Sequence, residues 1–240
     1  MKKIALFIPC YNEENRLKIA PFQKFIKANK GQIDFYFIND GSLDNTGKRI
    51  NDNLVDEKTV FLIQLNKNLG KGNALREGII SIKDKEYHTY GFIDADMDIP
   101  LEQILKLYNN LIPSPYLMAI SSRDLYRSIK ISRFRSLSSV AMVFIANHII
   151  QFKPELKDTQ CGCKLFKSEL LDICFKDPFI SEWLFDIELF LRIKKDDPKS
   201  REKICEVPLR DLEKSGKSGF KIVENFKIFR QLYQINKHYR

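Results

Sequence analysis

Short apolar runs alternate with segments of helical spacing through the first half of the sequence, which limits the folds open to it more than any other feature. The runs have strand length and end in polar turn residues. The predicted strands are Ile4–Cys10, Phe35–Asn39, Val60–Leu65, Tyr90–Ile93 and Leu117–Ser121. The predicted helices between them are Glu13–Asn29, Leu43–Leu54, Gly72–Ile82 and Pro100–Leu111, with Pro100 at a first helical position. This alternation predicts an α/β fold in which helices sandwich a mostly parallel sheet.

The second half of the sequence is less regular. It opens with a basic stretch, Tyr126–Arg135, followed by an amphipathic-to-apolar segment. Further on, Glu182–Lys195 has helical spacing and Lys203–Leu209 has the pattern of a strand. A basic, aromatic-rich helix is predicted from Phe220 to the C-terminus. Since no repeat or low-complexity linker interrupts the chain, we expect a single domain over residues 1–240.

Composition and charge indicate a globular protein that attracts anions. A hydrophobic fraction of 44% with 18 Phe is sufficient for a packed core. The net charge of +9 at pH 7 favours nucleic acid, an acidic lipid surface or a phosphorylated substrate as partner. Charge alone does not choose among these classes.

Membrane-spanning and secretory signals are weak. The best candidate span, Val140–Ile150, is far shorter than the roughly 18 apolar residues that a span needs, and it contains Asn147 and His148. The N-terminal apolar run is too short for a signal peptide and ends in acidic residues, so we expect a strand there. Five cysteines, an odd number, favour a reducing, cytoplasmic compartment. The Cys161-Gly-Cys163 spacing is too short for an ordinary zinc pair.

Polar signatures follow the predicted strands at their carboxyl ends, where open parallel sheets bind ligands. They read PCYNE after the first strand, NDGS after the second, NKNLGKG after the third and DADMD after the fourth. Asp40-Gly41-Ser42 is either an ordinary turn with a helix cap or part of a binding loop. Gly70-Lys71-Gly72 is either an ordinary turn or a loop that presents a cation and exposed backbone N–H groups to an anion. It lacks the spacing of a P-loop.

The acidic trio Asp94, Asp96 and Asp98 crowds three like charges after a buried strand. Alternate residues of a strand point to one side, about 6.6 Å apart, so Asp94 and Asp96 can converge on Mg²⁺ or Mn²⁺. Alternatively, the acids complement the positive end of the helix near Pro100. That alternative accounts for Asp98 and leaves Asp94 unexplained.

Seven segments in this order resemble the family 2 inverting glycosyltransferases of the GT-A (Rossmann-like) fold, and most of all the dolichyl-phosphate glucose and mannose synthase branch. The segments are IPCYNEENRL, FINDGSLDNT, NKNLGKGNALREG, GFIDADMD, SSRD, DTQCGCKLF and EWLFDIEL. The resemblance runs from residue 4 to about residue 195. It implies a donor-binding half at 1–124 and an acceptor-binding half at 125–240 that ends in the basic helix. It also implies metal-dependent transfer of a hexose from a UDP- or GDP-linked sugar to a polyprenyl or dolichyl-type lipid phosphate.

The resemblance assigns residues to the donor and to the metal. The implied donor-binding residues are Pro9, Tyr11, Asn12, Glu13, Asp40, Gly41, Lys71, Arg76 and Asp94. The implied ligands of Mg²⁺ or Mn²⁺ are Asp94, Asp96 and Asp98, with Asp96 and Asp98 as the expected direct ligands. Asn39 stands where the family more often has a second aspartate, which leaves the base preference open.

The acceptor side is predicted to be basic. The implied acceptor-binding residues are Arg123, Arg133, Arg135, Gln160 and Lys164. Arginine pairs with phosphate oxygens bidentately, although the cluster that includes Arg127 and Lys130 could equally be a solvated face. Arg123 and Asp186 are the predicted catalytic residues. Asp186 would act as a base toward a hydroxyl acceptor, would orient a cation beside a phosphate acceptor, or would simply belong to a helix face.

Alternative functions stay open at this point. A saccharide hydroxyl could be the acceptor, in cell-surface polysaccharide synthesis, with Asp186 as base. The chain could also bind a donor without turnover. Nucleic-acid binding is disfavoured because no recognition motif is present and acids occupy the loops. We expect as partners a nucleotide sugar, a polyprenyl phosphate or other glycan acceptor, and an anionic membrane surface contacted by the C-terminal helix and by residues 137–152. The expected location is cytoplasmic, peripheral on the inner membrane face.

Overall fold

The computed structural model describes residues 3–56, 58–123, 133–209 and 222–239, with backbone alone for residues 133–141 and 222–227. Within these ranges seven strands form one sheet. The strands are β1 Ile4–Cys10, β2 Ile33–Asn39, β3 Val60–Gln64, β4 Thr89–Ile93, β5 Met118–Ser122, β6 Cys163–Lys167 and β7 Ile204–Pro208. The helices are α1 Ile19–Ala28, α2 Thr46–Asn53, α3 Lys71–Ile80, α4 Gln103–Leu111, α5 Arg133–Ile150, α6 Leu171–Phe175, α7 Phe185–Asp196 and α8 Ile222–Tyr239.

The strand order is β3-β2-β1-β4-β6-β5-β7, and most neighbours are parallel. β6 is the exception, because it runs antiparallel to both β4 and β5. The predicted α/β fold with a mostly parallel sheet is therefore confirmed. Strands from both predicted halves enter this one sheet, and the division into a donor half and an acceptor half stays a prediction.

Both faces of the sheet are covered, which explains the nearly continuous apolar runs of its strands. Along β1, Phe7 faces a cluster with residues of α3, α5, α6, α7 and α8. Its neighbours Leu6 and Ile8 face a second cluster with residues of α1, α2 and α4. Helices therefore cover the side chains that β1 directs to either face of the sheet. Among the described residues, no helix combines the length and apolar character needed to cross a bilayer.

Several predicted boundaries differ from the structure. α1 begins at Ile19 rather than Glu13. Glu13 donates its backbone N–H to Thr46 Oγ1 at 2.7 Å, and residues 14–16 form a turn before the helix. α2 likewise begins at Thr46 rather than Leu43. Pro100 lies in a turn three residues before α4, so its predicted place as the first helical residue is wrong.

The strand β6 is absent from the prediction. Lys164 is the second of its five residues, Cys163–Lys167, and a lysine at that position is typical of a solvated segment. In the structure Lys164 is fully buried and pairs in register with Phe92 of β4. Because β6 is antiparallel, its first residue lies at the same edge as the last residue of β4, Ile93. The segment before β6 is thus brought to the edge where the predicted ligand loops lie.

Candidate functional site

The loops after β1 and β2 are tied to each other. Asn12 donates its backbone N–H to Ser42 Oγ at 3.0 Å, and the backbone N–H of Leu43 donates to Asn12 Oδ1 at 2.9 Å. Asn12 has a positive φ of 52°, a conformation that asparagine tolerates better than most residues. Tyr11 beside it is exposed and Pro9 is half-buried at the end of β1. Asn12 therefore holds the loop after β1 against the loop after β2.

Glu13 has a partner within its own loop. Its carboxylate accepts from Arg16 at two positions, with Arg16 Nε at 2.9 Å from Oε2. Only 7% of the Glu13 residue is exposed. In this structure the charge of Glu13 is matched by Arg16.

Asp40 ties the second loop to the third. It is buried, and its Oδ1 accepts the backbone N–H of Leu69 at 2.8 Å. Burial raises the pKa of Asp40, while the N–H groups of Leu69 and Gly70 act in the opposite direction. Gly41 has φ +63°, and a Cβ there would overlap the backbone of Lys67. Glycine is thus required for the close approach of the two loops.

Asn39, the departure from the family pattern, is part of the same packing. Its Nδ2 donates to Gln64 Oε1 at 2.9 Å, and its Oδ1 accepts from the backbone and the hydroxyl of Ser42. An aspartate at this position would have no N–H group to donate to Gln64 Oε1. The amide therefore fits this position as a link between β2 and β3.

The Asp94 carboxylate lies between a lysine and a glycine. One oxygen forms an ion pair with Lys71 Nζ. The other lies so close to Gly162 that a Cβ at that position would overlap it. The backbone of Asp94 is also held, because its N–H donates to the Gly162 carbonyl at 3.0 Å.

The remaining acids of the trio lie on a sharp turn. Met97 has φ +60°, and the backbone N–H of Asp98 donates to Asp96 Oδ1 at 3.1 Å. Burial raises the pKa of Asp96, and the charges of Asp94 and Asp98 raise it further, against the hydrogen bond from Asp98. A cation would relieve this repulsion.

The trio does not form a complete metal cage. Within the described ranges no three His, Cys, Asp or Glu residues converge as a set of metal ligands. Mg²⁺ and Mn²⁺ sites that use one or two carboxylates complete their coordination with phosphate oxygens and water. Asp94 and Asp96 are residues of the type that such a site uses, and the ligand set Asp94, Asp96 and Asp98 stays a prediction.

Lys71 is the first residue of α3 and follows Gly70, whose φ is +79°. Its ammonium lies 5.5 Å from the ring centres of both Phe92 and Phe185. Burial acts to lower the pKa of Lys71, but the carboxylates of Asp94 and Asp186 outweigh it, so the pKa is raised. Lys71 thus stays charged at this edge of the sheet.

Arg76, the other predicted donor-side cation, points elsewhere. It contacts the Glu77 carboxylate, and its Nη2 donates to the Lys176 carbonyl at 2.8 Å. Neither partner is a predicted donor residue. The structure does not bring Arg76 to the contacts that Lys71 makes.

A second lysine–aspartate pair lies beneath the site. Lys164 Nζ is 2.6 Å from Asp186 Oδ1 and also donates to the Cys161 carbonyl at 2.6 Å. The ammonium is 5.6 Å from the ring centre of Phe92 and 5.9 Å from that of Phe190. The sequence predicts that Lys164 lines the acceptor side, whereas the structure encloses its side chain completely. Its contact with the site is through Asp186.

Arg123, at the end of β5, is held by an aspartate that sequence reasoning did not single out. Its Nε and Nη2 donate to the two oxygens of Asp158 at 2.7 and 3.1 Å, and its backbone N–H donates to the same carboxylate at 3.1 Å. Asp158 is fully buried, while the Arg123 side chain is 36% exposed. Burial acts to lower the pKa of Arg123 and Asp158 more than offsets this. The first letter of the DTQCG segment was the available signal for Asp158.

Gln160 lies on the same segment. Its backbone N–H donates to Asp158 Oδ1 at 3.1 Å, and its buried Nε2 has no hydrogen-bond partner among the residues that the structure describes. Arg133 and Arg135 lie in the first turn of α5, where only the backbone is described. The other basic residues of that stretch, Arg127 and Lys130, lie outside the described residues. Their predicted acceptor role stays a prediction.

Comparison with known proteins adds an independent line of evidence. Residues 5–175 match the model of the glycosyl transferase family 2. The dolichyl-phosphate beta-glucosyltransferase of Homo sapiens is 30% identical over 202 residues, which cover 78% of this chain and 62% of that protein. The enzyme of the same name from Saccharomyces cerevisiae is 27% identical over 259 residues, covering 98% of this chain and 75% of that protein. The chain thus spans less than two thirds of the human relative's length.

Solved structures show the same architecture. The glucosyl-3-phosphoglycerate synthase from Mycobacterium tuberculosis, in complex with Mn²⁺, uridine diphosphate and glucosyl-3-phosphoglycerate, superposes with a TM-score of 0.70. The match covers 99% of this chain and 80% of that one, at 17% sequence identity. At that identity the likeness concerns the fold alone.

Proposed function

Because the chain belongs to the glycosyl transferase family 2, we propose that it moves a glucosyl group from a nucleotide sugar to a polyprenyl-type lipid phosphate. The predicted family and GT-A fold are confirmed. The observation that carries the proposal is the arrangement of Lys71, Asp94 and Asp96 at the carboxyl edge of the sheet. The choice of glucose and of a lipid phosphate is supported by the names of the human and yeast relatives.

The donor would bind across the first three loops and the acidic trio. Asp94 and Asp96 would hold a divalent cation together with the diphosphate, and Asp98 is a further predicted ligand. The solved structures of glucosyl-3-phosphoglycerate synthase with Mn²⁺ or Mg²⁺ and uridine diphosphate support the use of a divalent cation. When bound, the cation supplies positive charge to the departing nucleoside diphosphate. Lys71 adds a second positive charge at the same place, without any proton transfer.

The acceptor side favours a phosphate over a hydroxyl. A phosphate monoester is already ionised near neutral pH, so it needs a cation to position it rather than a base. Arg123 has this capacity because Asp158 fixes its guanidinium through Nε and Nη2, while Nη1 has no hydrogen-bond partner among the residues that the structure describes. Asp186 is buried and one of its oxygens is bound by Lys164, which favours an orienting role for it. A single displacement by the phosphate oxygen would invert the anomeric carbon.

A saccharide acceptor is the second candidate. It would require Asp186 to accept a proton through its other oxygen. Incubation of the protein with radiolabelled UDP-glucose or GDP-linked sugar, Mn²⁺ and either polyprenyl phosphate or oligosaccharide separates the two acceptors. We expect label in the organic extract with UDP-glucose and the lipid. Label in oligosaccharide alone would contradict the lipid acceptor, and donor bound without any turnover would contradict transfer itself.

Arg123→Met tests the acceptor contact. It should reduce transfer to the lipid phosphate by roughly 10- to 100-fold, the cost of one lost charged hydrogen bond of about 1.5–3 kcal/mol. Because the substitution also leaves Asp158 buried without its cation, circular dichroism must show that the variant is folded at the assay temperature. The matched control, Arg49→Met, removes the same charge from the exposed surface of α2 and should leave the rate unchanged. Equal transfer rates for the two variants would contradict a contact between Arg123 and the acceptor.

The proposal includes contact with an anionic membrane surface. On α8, Ile228, Leu232 and Ile235 are buried in the core, whereas Phe229 and Tyr233, one turn apart, are 63% and 67% exposed. The segment 228–239 carries two exposed cations, at positions 230 and 237, and no acidic residue. A helix with exposed aromatic and basic side chains is suited to an anionic lipid interface.

Trp183 extends this exposed surface toward the donor loops. Trp183 is 64% exposed, and its backbone N–H donates to Gln231 Oε1 of α8 at 3.3 Å. The preceding residue, Glu182, packs against Gly70 of the third loop. We call Trp183, Phe229 and Tyr233 the aromatic face. Its position would bring the mouth of the site to a lipid surface.

Tryptophan fluorescence tests the aromatic face directly, because Trp183 is the only tryptophan of the chain. With vesicles of phosphatidylglycerol we expect a blue-shifted emission and quenching by brominated acyl chains, and neither change with phosphatidylcholine alone. The double variant Phe229→Ser/Tyr233→Ser should weaken vesicle binding, whereas Ile80→Ser, at an exposed apolar residue of α3, should not. Unchanged emission with the anionic vesicles would contradict the contact. Cell fractionation tests the proposed location in the cytoplasm, peripheral on the inner membrane face.

A further inference from the structure

Lys71 takes the place that a cation would need beside Asp94. Its ammonium is ion-paired with one Asp94 oxygen. The other Asp94 oxygen faces the backbone of Gly162, which leaves no room there even for a Cβ. A divalent ion that binds the Oδ1 oxygen of Asp94 must therefore displace Lys71.

Both side chains of the ion pair are partly exposed to solvent, so the pair can open. The side chains of Lys71 and Asp94 are 29% and 35% exposed. Two aromatic rings support the ammonium, and the carboxylate of Asp186 also attracts it. A lysine that leaves Asp94 thus keeps favourable surroundings within a short movement.

We infer that Lys71 is the resident counter-ion of Asp94, and that a nucleoside diphosphate opens Asp94 to the divalent cation by drawing the Lys71 ammonium onto itself. This inference rests on the proposed function, since it takes the diphosphate and the cation from it. Lys71 then has two successive partners. It holds Asp94 in the absence of donor and binds the diphosphate in its presence.

The energetic consequence is a coupling between the two ligands. Without a diphosphate, the cation must compete with Lys71 for Asp94, so its affinity is reduced. With a diphosphate, the ammonium has an alternative anion, and the cost of displacing it falls. Linkage requires the effect to be reciprocal, so the cation must strengthen diphosphate binding by the same factor.

Titration with Mn²⁺, followed by the electron paramagnetic resonance of the free ion, measures this competition without any turnover. The wild-type chain is titrated with Mn²⁺ alone and with Mn²⁺ plus uridine or guanosine diphosphate, allowing for the complex that the two form in solution. Lys71→Met should bind Mn²⁺ alone more tightly than wild type, by roughly 5- to 150-fold, the usual range of coupling between sites. Its gain in Mn²⁺ affinity on adding diphosphate should shrink correspondingly.

Two further variants control for charge and for folding. Lys67→Met removes an equal charge from an exposed position of the same loop and should bind Mn²⁺ as wild type does. Lys71→Arg keeps a cation beside Asp94 and should bind Mn²⁺ alone as weakly as wild type. Circular dichroism melts establish that each variant is folded.

The outcomes separate this inference from the proposed function. If wild type does not bind Mn²⁺ in the presence of either diphosphate, the metal-dependent transferase itself is contradicted. If wild type binds Mn²⁺ with a diphosphate and Lys71→Met binds Mn²⁺ alone no more tightly than wild type, only the counter-ion role of Lys71 is overturned. If Lys67→Met tightens Mn²⁺ binding as much as Lys71→Met, the effect is one of net charge and the inference also fails.

Discussion

Two lysine–aspartate pairs contact the same phenylalanine ring, and they differ in how far water reaches them. The pair Lys164–Asp186 has side chains that are 0% and 5% exposed, with a separation of 2.6 Å. The pair Lys71–Asp94 lies at the edge of the site, about a third exposed. Both ammonium groups lie within 6 Å of the centre of the Phe92 ring.

The difference shows how one interaction serves two purposes. A buried ion pair is costly to break, because either partner alone would be left as an uncompensated charge in the core. An exposed pair contributes little to stability, since water and salt screen it. The inner pair is thus suited to fix Asp186 in place, and the outer pair is suited to exchange partners.

The largest expected effect comes from breaking the inner pair. Lys164→Met should lower the free energy of unfolding by about 3–5 kcal/mol, because it leaves Asp186 charged and buried. Urea unfolding measures the change. The double variant Lys164→Met/Asp186→Leu should recover most of the loss, and if it is as unstable as the single variant, the pair is not the source of the effect.

A smaller effect is expected where the outer pair meets the backbone. Gly162→Ala places a Cβ against Asp94 Oδ2 and should cost about 1–3 kcal/mol of unfolding free energy, as overpacking does. It should also weaken Mn²⁺ binding in the presence of uridine diphosphate, because Asp94 must move. Unfolding and Mn²⁺ titrations that match wild type would show that Asp94 is not confined by this backbone.

The smallest change in stability is expected from the outer pair itself. Lys71→Met should change the free energy of unfolding by less than about 1 kcal/mol, because the pair is partly solvated. The same urea experiment measures it beside Lys164→Met. A loss as large as that of the inner variant would abolish the distinction between the two pairs.

Much of the fold could be predicted because its strands are buried on both faces. Runs such as Ile4–Cys10 are apolar throughout, and their limits agree with the structure to within two residues. Helix starts were less accurate. The predicted start at Glu13 failed because the backbone N–H of Glu13 is bonded to Thr46 Oγ1 and residues 14–16 form a turn, and helical spacing does not reveal such contacts.

The sequence predicted which residues belong to the site better than it predicted the contacts among them. The acids after β4 and the Gly70-Lys71-Gly72 loop are visible as polar signatures at strand ends. The pairing of Lys71 with Asp94 depends on where β4 lies in the sheet, which the sequence does not state. Lys164 was misplaced for a related reason, since its charge is matched by Asp186 on a helix that begins well after β6 in the chain.

The position of β6 has a consequence for the synthesis of the chain. β5 pairs only with β6 and β7 in the described sheet, and both are translated after it. While the ribosome is still making the segment up to residue 163, the buried strand Met118–Ser122 has no neighbour to pair with. An unpaired strand edge is prone to aggregate, so the newly made chain should be most prone to aggregation during this interval.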